Sequence, residues 1–245
     1  MLACGFALTF VTGPTAFGIT RTDLPNLTWT SEQAMQDALS LPDGGNVFRL
    51  DTAPLLAALR ALPGVADASI SVELPDAVVA VHVAERVPVL AWQLNKTRYI
   101  ADGNGVIFAT LAADAALPGG IAVIDDRRTG DEHVLGIGDR IDAVDLDVAT
   151  RLGSLTTEQV GSTAKGLRVA ITEQDGFVLI AQGGWTAVFG FYSPATRPPD
   201  MIPGQVRLLR SLLLAHGEGA IARMVLAAEG NGTYVPRATP KPTPR

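Results

Sequence analysis

Between Leu62 and Pro88 apolar and polar residues alternate almost without a slip, break once at Pro75-Asp76, and resume alternating. Period two marks a strand with one buried face. Ala66, Ala68, Ile70, Val72 and Leu74 form one row, opposed by Asp67, Ser69, Ser71 and Glu73. After the Pro-Asp turn, Val79, Val81 and Val83 repeat the buried row against Val78, Ala80, His82 and Ala84. The pattern predicts an antiparallel hairpin, with Ile70, Val72, Val79 and Val81 packed inward and the row from Asp67 to Glu73 in solvent.

Helical spacing precedes the hairpin. Thr30 reads as a cap with Gln33 three residues on, followed by Ala34, Met35, Ala38 and Leu39, and Pro42-Asp43-Gly44-Gly45 stops the helix. A second helix starts near Asp51-Thr52 with Pro54 in its first turn, sets Leu55, Leu56, Leu59 and Leu62 on one stripe, and ends at Pro63-Gly64. With an extended segment before Trp29, the order is strand, helix, helix, strand, strand in about 70 residues, a workable size for a small domain.

Beyond Pro88 short strands alternate with turn signals, a texture that suits an antiparallel sheet. Tyr99 to Ala101 and Val106 to Phe108 flank Asp102-Gly103-Asn104-Gly105, and Ile121 to Ile124 follows. A helix from Val144 to Leu155 intervenes. Then a meander of Leu167 to Thr172, Phe177 to Ala181 and Thr186 to Phe191 is predicted. Pro203 to Leu214 reads as an amphipathic helix with Val206, Leu209 and Leu213 inside and Arg207 and Arg210 outside. A last strand pair, Ala222 to Ala227 and Thr233 to Val235, leads into the tail PRATPKPTPR, which has nothing to pack and is expected to be extended and solvated. The fold class is α+β: a small β-α-α-β-β domain over residues 17–87, a mostly antiparallel β domain with two helices over 88–236, and a disordered tail from 237 to 245.

Composition narrows the function. With 245 residues, of which 47% are hydrophobic and 18% charged, the chain can build a real core. Its net charge of −6 and its lack of a Lys/Arg cluster argue against nucleic acid as a partner. One cysteine, Cys4, excludes an internal disulfide and a CxxC metal site. From Met1 to Ile19 there is no charged side chain, yet Gly13-Pro14 divides the run, and a spanning helix needs about 20 apolar residues. Residues 1–16 are therefore expected to be the outer part of a membrane helix whose beginning lies upstream of Met1, or else a processed leader.

Catalytic patterns are missing. His82, His133 and His216 are far apart and lack metal-ligand spacing. Asp125-Asp126 beside Arg127-Arg128 resembles a carboxylate pair with a phosphate clamp, but neighbouring residues on a strand end point apart. Gly103-Asn104-Gly105 is followed by a strand and reads as a hairpin turn, without the strand-to-helix setting of a dinucleotide loop. No catalytic, cofactor-binding or metal residue is assigned, and no small-molecule substrate is implied.

Four phrases carry a family resemblance: Gly45-Asn46-Val47-Phe48-Arg49-Leu50-Asp51, Leu59 through Ala68, Glu73-Leu74-Pro75-Asp76, and Glu85 through Trp92. They resemble the POTRA domain of the FtsQ/DivIB bacterial cell-division proteins, and Tyr99 through Phe108 is similar to the opening of that family's β domain. From Leu167 to Val235 the order of elements is similar in weaker wording, and between Leu111 and Gly166 only the pattern matches. The resemblance implies a non-enzymatic scaffold in the cell membrane. It would cross once, with its bulk on the extracytoplasmic side at the division septum, and would recruit other divisome membrane proteins.

In that family the last β-domain strand accepts a strand from a small single-pass coiled-coil division protein, which implies a partner site at Gly232, Thr233, Tyr234 and Val235. Tyr234 is the expected anchor, because an aromatic side chain covers a large area at little rotamer cost, and Arg207 on the preceding helix would steer acidic partner residues. The competing expectation for Tyr234 is that it closes the core from the edge. Two rival functions share the pattern. One is a POTRA-type binding module of a protein-export system, although such modules usually recur ahead of a long barrel and here there is one copy. The other is a secreted hydrolase with a small α+β binding domain.

Overall fold

The computed structural model describes residues 18–41, 45–129, 134–182 and 184–238. The chain divides into two compact units, Met1–Val87 and Pro88–Arg245. The expected membrane segment at 1–16 lies outside the described residues, as do His133 and most of the proline-rich tail. Among the described residues no helix is long and apolar enough to cross a membrane.

Among its described residues the first unit has three strands, β1 (Arg21–Asp23), β2 (Val65–Glu73) and β3 (Val78–Glu85), and two α-helices, α1 (Glu32–Leu39) and α2 (Thr52–Arg60). The sheet order is β1-β3-β2, with β2 antiparallel and β1 parallel to the central β3. Met35, Leu39, Leu59, Val65, Ala68, Val79 and Val81 form its core. The expected rows of the hairpin are observed through its middle, at Ala68, Ile70, Val79 and Val81, but not at its ends: Ala66, at a bulge where Val65 is buried instead, and Leu74, 53% exposed beside the turn, do not join the buried row. Val72 is 37% exposed because it lies toward the hairpin tip, and the first half of β3 is buried on both faces, Val78 and Ala80 as well as Val79 and Val81. A central strand flanked on both sides has less solvent-facing surface than a simple hairpin strand.

The cap of α1 is Ser31, whose hydroxyl accepts the Ala34 N–H, and not Thr30 as the sequence suggested. Thr30 is instead buried, with its hydroxyl packed close against Gly64. The backbone N–H groups of Thr28, Trp29 and Thr30 all donate to the Glu85 carboxylate, at 2.6–2.8 Å. The end of β3 is thereby tied to the start of α1. The second helix starts where its spacing placed it, and Asp51 caps α2 by accepting the Ala53 N–H.

The described residues of the second unit form nine strands: β4 (Leu90–Leu94), β5 (Thr97–Ala101), β6 (Ile107–Ala112), β7 (Ala122–Asp126), β8 (Leu167–Thr172), β9 (Gly176–Ala181), β10 (Thr186–Gly190), β11 (Ile221–Leu226) and β12 (Gly232–Pro236). They form one sheet in the order β12-β11-β10-β9-β8-β7-β4-β5-β6. The meander β8-β9-β10 and the two end hairpins are antiparallel, whereas β4–β7, β7–β8 and β10–β11 are parallel. The sheet is thus mostly antiparallel with three parallel seams, two of which carry helical crossovers. Between β7 and β8 run α3 (Ala143–Gly153) and the one-turn α4 (Thr157–Val160), and between β10 and β11 runs α5 (Ile202–His216). Val148, Leu152, Leu209 and Leu213 from the helices meet Ile124, Val169, Leu179, Ala187, Phe189 and Met224 from the strands in one core.

Asp125-Asp126-Arg127-Arg128 is a structural clasp. Buried Asp126 receives the Trp92 indole N–H at 3.0 Å and the Arg128 guanidinium at 2.7 Å, and Arg128 reaches Asp145 on α3. Burial disfavours ionised Asp126, but the hydrogen bonds from Arg128 and Trp92 outweigh it and hold its carboxyl below the usual range. Asp125 points elsewhere, pairing with Arg127 at 2.7 Å.

Candidate functional site

Among the described residues the sheet ends at β12, which pairs with β11 alone. The Asn231 carbonyl accepts the Ala228 N–H at 3.0 Å, and the Arg237 N–H donates to the Ala220 carbonyl at 2.7 Å. Strand backbone groups alternate in direction, so residues 231, 233, 235 and 237 address β11, while Gly232, Tyr234 and Pro236 turn their backbone outward. Proline has no N–H to leave unpaired there, which is the setting in which edge strands accept it. The free edge therefore offers the N–H groups of Gly232 and Tyr234.

Val235 directs its N–H to β11, opposite Arg223, so it belongs to the ladder within the chain. Its side chain is 53% exposed, and Thr233 beside it is exposed too. Gly232 is required by its surroundings. A Cβ there would sit 2.9 Å from the Val225 carbonyl and 3.0 Å from Leu208 on α5.

Tyr234 lies opposite Met224 and shares the face of the sheet that α5 covers. It is 39% exposed, and its ring stacks on His216, the last residue of α5, with centroids 4.2 Å apart at 30°. The side chain is pinned by that stack and still open to solvent, so it neither seals the core nor stands free. Arg207 projects from α5 and approaches Glu229 of the β11–β12 turn at 3.8 Å. The five expected partner-site residues thus occupy one end of the sheet, Arg207 on the helix and the others on the edge strand.

A buried polar network behind this edge left no trace in the apolar pattern. Gln205 on α5 is fully buried; its amide donates to the Leu226 carbonyl at 2.6 Å and accepts the Tyr192 hydroxyl at 2.6 Å. Arg197 donates to the carbonyls of Phe189, Leu226 and Ala227. These side chains satisfy carbonyls at the ends of β10 and β11, where the parallel pairing stops at Val188 opposite Val225. Burial pushes the Tyr192 phenol up, so it stays a donor at any physiological pH.

Below the site, Glu218 closes the loop into β11. It accepts from the Ser162 hydroxyl, the Thr163 N–H and hydroxyl, and the Trp185 indole N–H. Burial alone would raise its carboxyl, but these donors carry it down to about 2. Among the described residues no three His, Cys, Asp or Glu side chains converge as metal ligands.

Residues 26–86 match the family described as POTRA domain, FtsQ-type. A stretch of 88 residues is 32% identical to the cell division protein FtsQ of Mycobacteroides abscessus, taking in 36% of this chain and 28% of that relative's own length. The chain thus carries a POTRA domain of the FtsQ type, in agreement with the resemblance drawn from Gly45–Asp51 and the hairpin phrases.

Proposed function

We propose that the whole chain acts as a non-enzymatic scaffold in bacterial cell division. In this reading residues 1–16 belong to a membrane anchor, the body lies outside the cytoplasm at the septum, and the free edge of β12 docks a small single-pass coiled-coil division protein. The observation that carries the reading is the FtsQ-type POTRA domain followed by a sheet whose last strand leaves two N–H groups unpaired. Strand addition completes such an edge through main-chain bonds, while alternate side chains give selectivity. Tyr234 is held by His216 in a fixed direction, which lowers the entropy lost on docking.

The test is capture of a small single-pass coiled-coil division protein from the same bacterium, with melting measured in parallel. Tyr234→Ala removes the anchor and Tyr234→Pro removes an outward N–H; both are expected to weaken capture without lowering the melting temperature. Val235→Pro breaks a bond to β11 and is expected to destabilise the hairpin itself. Full capture by both Tyr234 variants would show that the partner docks elsewhere. A septal pattern of a fluorescent fusion, lost on removal of residues 1–16, tests the anchor and the localisation.

A further inference from the structure

The tripeptide Gly-Asn-Gly occurs at 103–105 and again at 230–232, each time with an exposed asparagine in the turn of a terminal hairpin of the nine-stranded sheet. Asparagine followed by glycine is open to a covalent reaction that needs no enzyme. The glycine nitrogen loses its proton to base and attacks the asparagine side-chain carbonyl. A C–N bond forms, the bond to the amide nitrogen breaks, and ammonia leaves behind a cyclic succinimide. Water opens the ring at either carbonyl, giving aspartate or isoaspartate, and nothing is oxidised or reduced. Glycine permits the approach because no Cβ crowds the attacking nitrogen. A nitrogen already held in a hydrogen bond is not free to attack.

The two copies differ in that respect. The Gly105 N–H donates to the Asp102 carbonyl at 2.9 Å, and the Asn104 and Val106 N–H groups both donate to the Asp102 carboxylate. The Gly105 carbonyl in turn accepts the Ile141 N–H, and the residue is held at a φ of 77°. That turn is locked from both sides. At the second copy, Asn231 addresses β11 through its carbonyl, which leaves the Gly232 N–H on the free edge. Gly230 before it has open space around its missing Cβ.

We propose that Asn231 is a site of spontaneous deamidation in the folded protein, while Asn104, with the same neighbours in sequence, is protected by its turn. The product places a new negative charge two residues from Glu229. In the isoaspartyl form it also adds a methylene to the main chain at the start of β12, which disturbs the alternation that turns the Gly232 and Tyr234 N–H groups outward. The edge of the sheet thus carries a chemical clock. Where that edge is the docking strand, a consequence that rests on the reading above, aged protein loses partner affinity.

The experiment incubates the full chain at mildly alkaline pH and follows both peptides by mass spectrometry, with isoaspartate-specific enzymatic methylation as a second readout. In the folded protein the Asn231 peptide is expected to convert several-fold faster than the Asn104 peptide, and faster as pH rises. In denaturant the two rates should converge, and Asn231→Gln should abolish the folded-state signal. If Asn104 keeps pace with Asn231 in the folded chain, or Asn231 stays intact over a time in which both convert in denaturant, the assignment is wrong. Neither readout involves a partner, so failure of the docking reading leaves this result unaffected.

Discussion

Gly176 and Gly190 face each other at one end of the β9–β10 pair with no room for a methyl group between them. A Cβ on Gly176 would lie 2.5 Å from the Gly190 carbonyl carbon and oxygen, and both residues have positive φ, 63° and 91°. Gly176→Ala therefore combines a backbone clash with a left-handed conformation, and is expected to cost about 3 kcal/mol. Gly119→Ala, with nothing near its missing Cβ, should change stability by no more than about 0.5 kcal/mol. Urea unfolding midpoints compare them; equal midpoints would mean that β9 and β10 shift apart at no cost.

The hairpin of the first unit gives a sharper test of its faces. Val81 is 3% exposed beneath α1 and α2, so Val81→Asp buries an unpaired charge and should unfold that unit at a cost of several kcal/mol. Ser71→Asp, on the exposed row, should leave it folded. Because each unit has a core of its own, hydrogen exchange should collapse over 18–87 in the Val81 variant while the amides of β8 to β10 stay protected.

Acid should reveal the Glu218 cluster. Its folded carboxyl titrates near 2 against an ordinary value of 4.5, so its contribution is complete above about pH 5 and disappears as pH falls through about 2. Screening around a partly exposed group limits that contribution to about 1–2 kcal/mol. Glu218→Gln is expected to be less stable at neutral pH and to have a flatter stability profile between pH 5 and 2. Parallel profiles for the two proteins would remove Glu218 as the cause.

Behind the edge strand, Gln205→Leu keeps the side-chain bulk but strands the Tyr192 hydroxyl and leaves the Leu226 and Phe189 carbonyls to Arg197 alone. Loss of about 2–3 kcal/mol is expected. Tyr192→Phe in the same background should cost less than it does alone, since its partner is already gone. Strict additivity in the double mutant would place the two groups in separate networks.

What the sequence made readable was set by how plainly burial imprints a period. The β2–β3 hairpin alternates because one face of it meets helices, and its rows were legible through the middle of the strands, while the bulge at Ala66 and the exposed tip at Val72 and Leu74 broke them at the ends. β4 was not, because Leu90, Ala91 and Trp92 are all buried and erase the alternation. The short α4 did carry a signal: Thr156 and Gln159 form a reciprocal capping box, and that spacing is visible in the sequence. The choice between Thr30 and Ser31 as cap turned on which hydroxyl faces the helix, since adjacent candidates have the same local chemistry. At the candidate site, the edge position of β12 was readable from its place before the tail. The outward direction of Tyr234, and not Val235, depends on where pairing with β11 begins, which the Ala228–Asn231 hydrogen bond at the turn sets.

The parallel pairing of β1 with β3 has a mechanical consequence. The chain enters β1 at its amino end and leaves β3 at its carboxyl end, which are opposite ends of a parallel pair. Tension along the chain across this unit therefore slides the two strands past each other and loads the rungs from Arg21–Val78 to Asp23–Ala80 together, where an antiparallel pair pulled from one end would open rung by rung. The three N–H groups that grip Glu85 lie on the same load path, at the last residue of β3. A domain wired this way resists extension in shear, the geometry suited to a link that stays folded while its two ends are drawn apart.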